Sequence, residues 1–339
     1  MRRLAAALVA FVCGSAAFAQ TDHRVLSFDA LDGWAEDDHE AALGVFLNTC
    51  KDMRDPDWRA VCAFASTNPD ARAFFELMFR PVLIEDGSPA VFTGYFEPEL
   101  NGSRYRGGPY QYPLYEMPEE AEDGAWRSRE EIEEQALLEG RGLEIAWIDD
   151  PVDVFFLQVQ GSGRVRLDDG TAIRVGYGGK NGHEYRSVGL ELVRRGEFEQ
   201  HQVSAWRIRD WVSRNGAEGL ELLHHNPSYV FFREVSQVPW DHGPLGAMNR
   251  SITSMRSVAI DPAYITLGSP VWIEKDGRDP MRRLMIAQDT GSAIKGAQRA
   301  DIFVGTGSAA GRRAGQIKDP GRLVVLMPTQ RAYALTTGL

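Results

Sequence analysis

The chain has 339 residues, 43% of them apolar and 10% aromatic, enough to bury a sizeable core and to fill two domains. With 37 basic against 48 acidic residues it carries a formal charge of −11 and no basic stripe, which argues against nucleic acid or an anionic membrane surface as partner. Seven scattered histidines include the adjacent pair His224 and His225, which point to different sides of any element, so no zinc spacing exists and no metal or cofactor is implied.

The start of the chain reads as a targeting segment. Arg2 and Arg3 form a basic region, residues 4–16 are apolar, and Ala17-Phe18-Ala19 supplies a small–x–small cleavage signal before Gln20, so residues 1–19 are expected to be a signal peptide. That run is too short to span a bilayer, and no later segment approaches about 20 apolar residues. Cys13 follows Ala10-Phe11-Val12, which lacks the Leu and the small residue expected before a lipidated cysteine. The expected product is therefore exported, soluble and periplasmic, without a clear lipobox. It keeps Cys50 and Cys62, which fit either one disulfide joining neighbouring helices or two buried thiols.

Residues 37–49, 57–65 and a segment capped by Asn68-Pro69 have apolar positions at helical spacing. Short strands follow at 81–84 and 90–96. Residues 101–125, rich in Gly, Tyr, Pro and acid, read as a linker or extended entry into a second unit. A capping box, Ser128 to Glu131, predicts a helix through Leu138. Strands are then expected at 143–148, 154–160, 164–167 and 171–177, with Asp168-Asp169-Gly170 as a hairpin turn. Helices at 188–195 and 205–215 precede a strand in 227–235, and the rest reads as short strands with Gly-rich turns. The pattern predicts a mainly β fold with peripheral helices.

Three acids stand beside short apolar runs of this last part: Asp261 after 256–260, Asp289 after 284–287, and Asp301 before 302–304. Carboxylates beside core strands are costly to desolvate and so tend to be paired, hydrogen-bonded or partly protonated. Asp-Pro and Asp-Thr-Gly are also good turn formers, but three such acids together point to acid–base chemistry. Asp289-Thr290-Gly291 has the form of an aspartic-protease triplet; no second triplet exists to share its proton, which argues against a protease.

Gln160 and Ser162, in Gln-Val-Gln160-Gly161-Ser162-Gly163, offer amide and hydroxyl groups suited to sugar hydroxyls at the end of an expected strand. Thr93 and Tyr95, in Thr93-Gly94-Tyr95-Phe96, could add a sugar platform, although an aromatic on a strand is more often core. The Gly-rich run 176–183 is no phosphate loop, since Lys180 is followed by Asn181 rather than Ser or Thr.

Taken in order, five blocks resemble the MltA family of lytic murein transglycosylases: Phe92-Thr-Gly-Tyr-Phe-Glu-Pro-Glu-Leu100, Phe155-Phe-Leu-Gln-Val-Gln-Gly-Ser-Gly163, Asn226-Pro-Ser-Tyr-Val-Phe-Phe-Arg-Glu234, Ser257-Val-Ala-Ile-Asp-Pro262, and Asp289-Thr-Gly-Ser-Ala-Ile-Lys-Gly296 with Asp301. The resemblance implies a double-psi β-barrel domain, called 3D for its three Asp, with a β-rich domain inserted in its middle. Carried over, residues 22–100 and 236–339 form the first and 101–235 the second, with the substrate groove between them. It implies a peptidoglycan lytic transglycosylase, a carbon–oxygen lyase that leaves 1,6-anhydromuramic ends on glycan strands; chain-end and internal cleavage both fit. Asp301 is then the single acid and base, Asp289 its companion and Asp261 a structural acid. Thr93, Tyr95, Gln160 and Ser162 hold the glycan. Many relatives are anchored to the outer membrane, which this signal peptide leaves open, and other cell-wall enzymes are the expected protein partners of a monomer. Two rivals remain: a true hydrolase holding water between Asp289 and Asp301, and a non-catalytic glycan-binding barrel.

Overall fold

A computed structural model describes residues 21–337 apart from Arg54 and Asp123. The expected signal peptide and Cys13 lie outside the described residues. A short strand, β1 (Asp22–Val25), precedes three helices, α1 (His39–Cys50), α2 (Pro56–Ala65) and α3 (Ala71–Met78). Each starts at an aspartate whose carboxylate accepts an amide of the first turn: Asp38 from Ala41, Asp55 from Asp57 and Asp70 from Ala73. The third cap is thus Asp70 rather than Asn68-Pro69. Cys50 and Cys62 form a disulfide that ties the end of α1 to α2, which decides between the two alternatives.

The chain then lays down β2 (Phe79–Glu85), β3 (Val91–Glu97), β4 (Glu99–Ser103), β5 (Tyr112–Tyr115), α4 (Arg129–Glu134), β6 (Glu144–Ile148), α5 (Pro151–Gln160), β7 (Gly163–Leu167) and β8 (Ala172–Lys180). After α6 (Val188–Arg194), α7 (Ala205–His224) and β9 (Val230–Glu234) come β10 (Ser257–Ile260), β11 (Pro270–Lys275), β12 (Met281–Asp289) and β13 (Arg299–Thr306). The chain closes with α8 (Gly307–Ala314), β14 (Lys318–Asp319), β15 (Gly321–Pro328) and α9 (Thr329–Thr337).

Two sheets result, mainly β with peripheral helices. One is nine-stranded, in the order β1-β2-β15-β11-β12-β10-β13-β3-β14. Its period-two alternation splits its side chains cleanly between two cores. Val82, Ile84, Val271, Ile273, Met285, Ala287, Leu323 and Val325 face an interior that also takes Phe92, Val258 and Ile302, so seven strands curl round one cluster. Their neighbours Leu83, Trp272, Leu284, Ile286, Val324 and Leu326 face outward and bury the aromatic side of α1–α3. The other sheet is six-stranded, β5-β6-β4-β7-β8-β9, and is nearly closed because its edge strands β5 and β9 meet. Its interior is the Leu100, Ile145, Leu157, Val165 and Val175 cluster.

Several elements differ from the sequence reading. The strand expected at 154–160 is the helix α5. Asp150 caps it through the Val152 amide, Pro151 takes the first turn, and Gly161 ends it at φ 78°. Its short apolar run fits either period, and the Asp-Pro start decides. The supposed linker at 101–125 contains the end of β4 and all of β5. The helix from Ser128 has the expected capping box but stops at Glu134, ahead of Ala136 at φ 49°. The helix expected over 205–215 continues to His224 through a kink at Gly216.

The chain leaves the first sheet at Glu97-Pro98 and returns after β9. Both crossings meet at Glu97, which is fully buried. Its carboxylate lies 2.9 Å from Arg164 of β7 and 2.9 Å from Arg174 of β8, and accepts the Thr306 hydroxyl at 2.8 Å. Both guanidiniums donate to the His242 carbonyl and lie over the Trp240 ring. This cluster of charges fixes the two sheets to each other.

Candidate active site

Strand register assembles the acids. Asp301 lies inside β13, not ahead of its strand as expected, and pairs with Thr93 of the parallel neighbour β3. On its other side it pairs with Ala259 of β10, and Ala259 in turn pairs with Asp289 at the end of β12. Asp289, Ala259, Asp301 and Thr93 therefore form one row across four strands. Two strand spacings put the Cα atoms of the two aspartates roughly 10 Å apart. The small Ala259 between them leaves the row open to a cleft.

That cleft has a volume of about 320 Å³. Its floor is the row, with Asp289, Asp301, Ala259, Gly94, Tyr95 and Arg299. The loop 290–294 after β12 forms one flank, and the facing wall comes from the helices and loops packed on the second sheet: Arg129 of α4, Gln158 and Gln160 of α5, and Tyr185, Asn226 and Ser228. It thus opens between the two sheets, at the place the Glu97 cluster holds shut behind.

Each acid has its own environment. Asp301 accepts the Thr93 hydroxyl on Oδ1 at 2.6 Å, and Thr93 in turn accepts from Arg299 at 2.8 Å. Burial raises Asp301 above the usual carboxylate range, against the opposing pull of the Thr93 hydrogen bond and the Arg299 charge. Asp289 accepts three donors: the Tyr95 hydroxyl on Oδ2 at 2.8 Å, and the Ala247 and Thr290 amides on Oδ1 at 3.0 and 2.9 Å. Burial nevertheless pushes it up to about 6, helped by the charge of Asp301. Burial and Asp289 in turn drive the Tyr95 phenol far above its ordinary value.

Asp261 is not in the cleft. It is buried and accepts the Ala263 amide at 3.1 Å and the Gly296 amide at 2.9 Å, stitching the turn after β10 to the loop that follows Asp289. Gln160 is the last residue of α5 and lines the cleft, where its carbonyl oxygen accepts the Phe96 amide at 3.0 Å. Its side-chain N–H groups make no hydrogen bond among the described residues. Ser162, in the two-residue link between α5 and β7, is buried and is not among the lining residues. The hydroxyls of Thr93 and Tyr95 are both committed to the acids.

Sequence reasoning passed over Arg299 and Arg129. Arg299 stands two residues before Asp301 on a strand, a spacing that puts both on one face. Arg129 is buried and donates to the carbonyls of Asn226 and Ser228, to Glu133 and to Gln158, bracing the far wall. Nothing in its local sequence, a capping box, marks that role.

The MltA specific insert domain matches residues 91–233, and the 3D domain matches residues 256–327. Membrane-bound lytic murein transglycosylase A of Escherichia coli strain K12 is 39% identical over 257 residues, covering 73% of this chain and 68% of that protein. Among solved structures, a membrane-bound lytic murein transglycosylase from Agrobacterium tumefaciens superposes with a TM-score of 0.82 at 31% identity, over 93% of this chain and 99% of that one. The E. coli MltA structure with bound chitohexaose does so with a TM-score of 0.72 at 30% identity, over 90% of this chain and 94% of that one. On these matches along both sheets, the chain belongs to the MltA family of lytic murein transglycosylases.

Proposed function

We propose that this protein is a peptidoglycan lytic transglycosylase that cleaves the β-1,4 bond between N-acetylmuramic acid and N-acetylglucosamine without water, using Asp301 alone as acid and then base. The observation that carries this reading is Asp301 on the floor of a cleft between two sheets, buried and hydrogen-bonded through one oxygen among the described residues, whereas Asp289 beside it accepts three donors. Neutral Asp301 gives its proton to the bridging oxygen as the C1–O bond breaks and its electron pair passes to that oxygen. The C6 hydroxyl of the same sugar then attacks C1 of the oxocarbenium-like centre. Asp301, now a carboxylate, takes the hydroxyl proton and is restored, leaving a 1,6-anhydromuramic end.

Asp289, mostly ionised near neutral pH with its value of about 6, places a negative charge near the positive transition state. Its three hydrogen-bond donors leave it poorly free to activate water, which disfavours the two-acid hydrolase. Thr93 and Tyr95 orient the acids, Gln160 and Arg129's neighbours meet the glycan, and a relative holding chitohexaose supports a glycan in this cleft. The same reading divides the chain into a barrel domain of residues 22–100 and 236–339 and an inserted domain of 101–235. It has the mature chain acting as a monomer in the periplasm, alongside other cell-wall enzymes and associated with the outer membrane like relatives named membrane-bound.

Mass spectrometry of digested sacculi tests the product: anhydromuramic ends are expected, and reducing muramic ends would point to the hydrolase. Asp301→Asn should lower turnover by about 10²- to 10⁴-fold, the contribution of a positioned acid. Sacculus solubilisation equal to the parent would remove Asp301 from the chemistry and favour a glycan-binding barrel.

A further inference from the structure

Arg299 opens β13 and reaches back along the row. One of its terminal nitrogens donates to the Val91 carbonyl at 3.2 Å and the Ala300 carbonyl at 2.6 Å, and the other to Thr93 Oγ1 at 2.8 Å. A guanidinium has donors and no acceptor, so the threonine oxygen must accept there. One lone pair is thus occupied, and Asp301 Oδ1, 2.6 Å away, is the acceptor that the hydroxyl proton finds among the described residues. Without the arginine, a hydroxyl beside a neutral carboxyl could turn round and accept from it, leaving the acid proton on Oδ1 and facing away from any substrate. Oδ2 makes no hydrogen bond among the described residues.

We propose, on the reading that Asp301 is the acid and base, that Arg299 is a positioning residue that sets the direction of the Arg299–Thr93–Asp301 chain and so holds the acid proton on Oδ2. During the reaction the Oδ2–H bond breaks and its proton goes to the bridging oxygen as that oxygen receives the C1–O electron pair. Oδ2 later takes the C6 hydroxyl proton as the new C1–O6 bond forms. Oδ1 keeps the Thr93 hydrogen bond through both transfers, and the Arg299 charge favours the carboxylate formed between them. Burial acts the other way, so one acid is poised for two opposite jobs.

The test uses the full mature chain with purified sacculi, comparing Arg299→Met, Arg299→Lys, Thr93→Val and Thr93→Ser by kcat, KM and pH profile. The rate should fall as pH rises through the Asp301 pKa, because the first step needs the protonated acid. Loss of the Arg299 charge raises that pKa, so in Arg299→Met the fall should move about one pH unit upward, with kcat down by tenfold or more and KM little changed. Arg299→Lys should return the limb towards the parent while recovering only part of kcat. Thr93→Val should lower kcat and Thr93→Ser restore it, since only a hydroxyl can accept from Arg299 and donate to Asp301 at once.

An Arg299→Met profile that coincides with the parent, or a change confined to KM, would overturn the positioning role. Carboxyl-carbon NMR titration of Asp301 in Arg299→Met reads the same pKa without turnover, so a poorly active variant still decides. Asp301→Asn keeps the two readings apart. Parental activity there would sink the acid itself, whereas an inactive Asp301→Asn with an unmoved Arg299→Met limb would sink only the positioning role.

Discussion

Asp289 is the residue on which chemistry and stability pull apart. Its carboxyl holds a proton more tightly in the folded protein, at about 6, than in an unfolded chain, at 3.8. A folded state that binds the extra proton loses stability as pH rises between those two values. Asn can still accept the Ala247 and Thr290 amides and donate towards Tyr95 without carrying charge. Asp289→Asn should therefore be more stable than the parent above pH 6, by about 3 kcal/mol, and equal to it below about pH 4. Thermal unfolding of both proteins across that range is the measurement, and a gap that persists at low pH would mean the charge is not its source.

At the scale of elements, β3 carries the site because it is squeezed. Thr93 and Tyr95 point one way, and Gly94 between them faces α8 and the turn that follows it. A Cβ at Gly94 would stand 2.9 Å from both Ala314 Cα and Ile317 Cδ1. Gly94→Ala must therefore push β3 off its neighbours, at a cost of about 1–3 kcal/mol. Because Thr93 and Asp301 are held at 2.6 Å, turnover should fall with stability, more than Gly94→Ala would cost on an ordinary strand. Chemical denaturation and sacculus digestion on the same preparation check both.

For the whole molecule the decisive feature is the charge cluster where the chain crosses between sheets. Glu97 serves two guanidiniums that would otherwise be buried without a counter-charge. Glu97→Ala should cost about 3–5 kcal/mol, the usual result of breaking a buried ion pair. The cleft lies just beyond these crossings, so a variant that still folds should also bind glycan strands more weakly, by sacculus pull-down. Unchanged stability would mean that the Trp240 ring and the carbonyls of Pro239, Trp240 and His242 suffice to hold the guanidiniums.

Local letters were enough for the β-rich class, the peripheral helices and the three acids, because alternation, capping residues and turn formers act over a few positions. They failed at α5, where a short apolar run fits two periods. They could not show that Asp289, Ala259, Asp301 and Thr93 share one row, since that follows from which strands pair and in which register, long after each is formed. Nor could they show that Thr93 and Tyr95 serve the acids, or that Arg299 serves Thr93. The sequence by itself determined which groups were available; the tertiary structure decided which were buried, and burial is what lifts both aspartates above the ordinary carboxylate range.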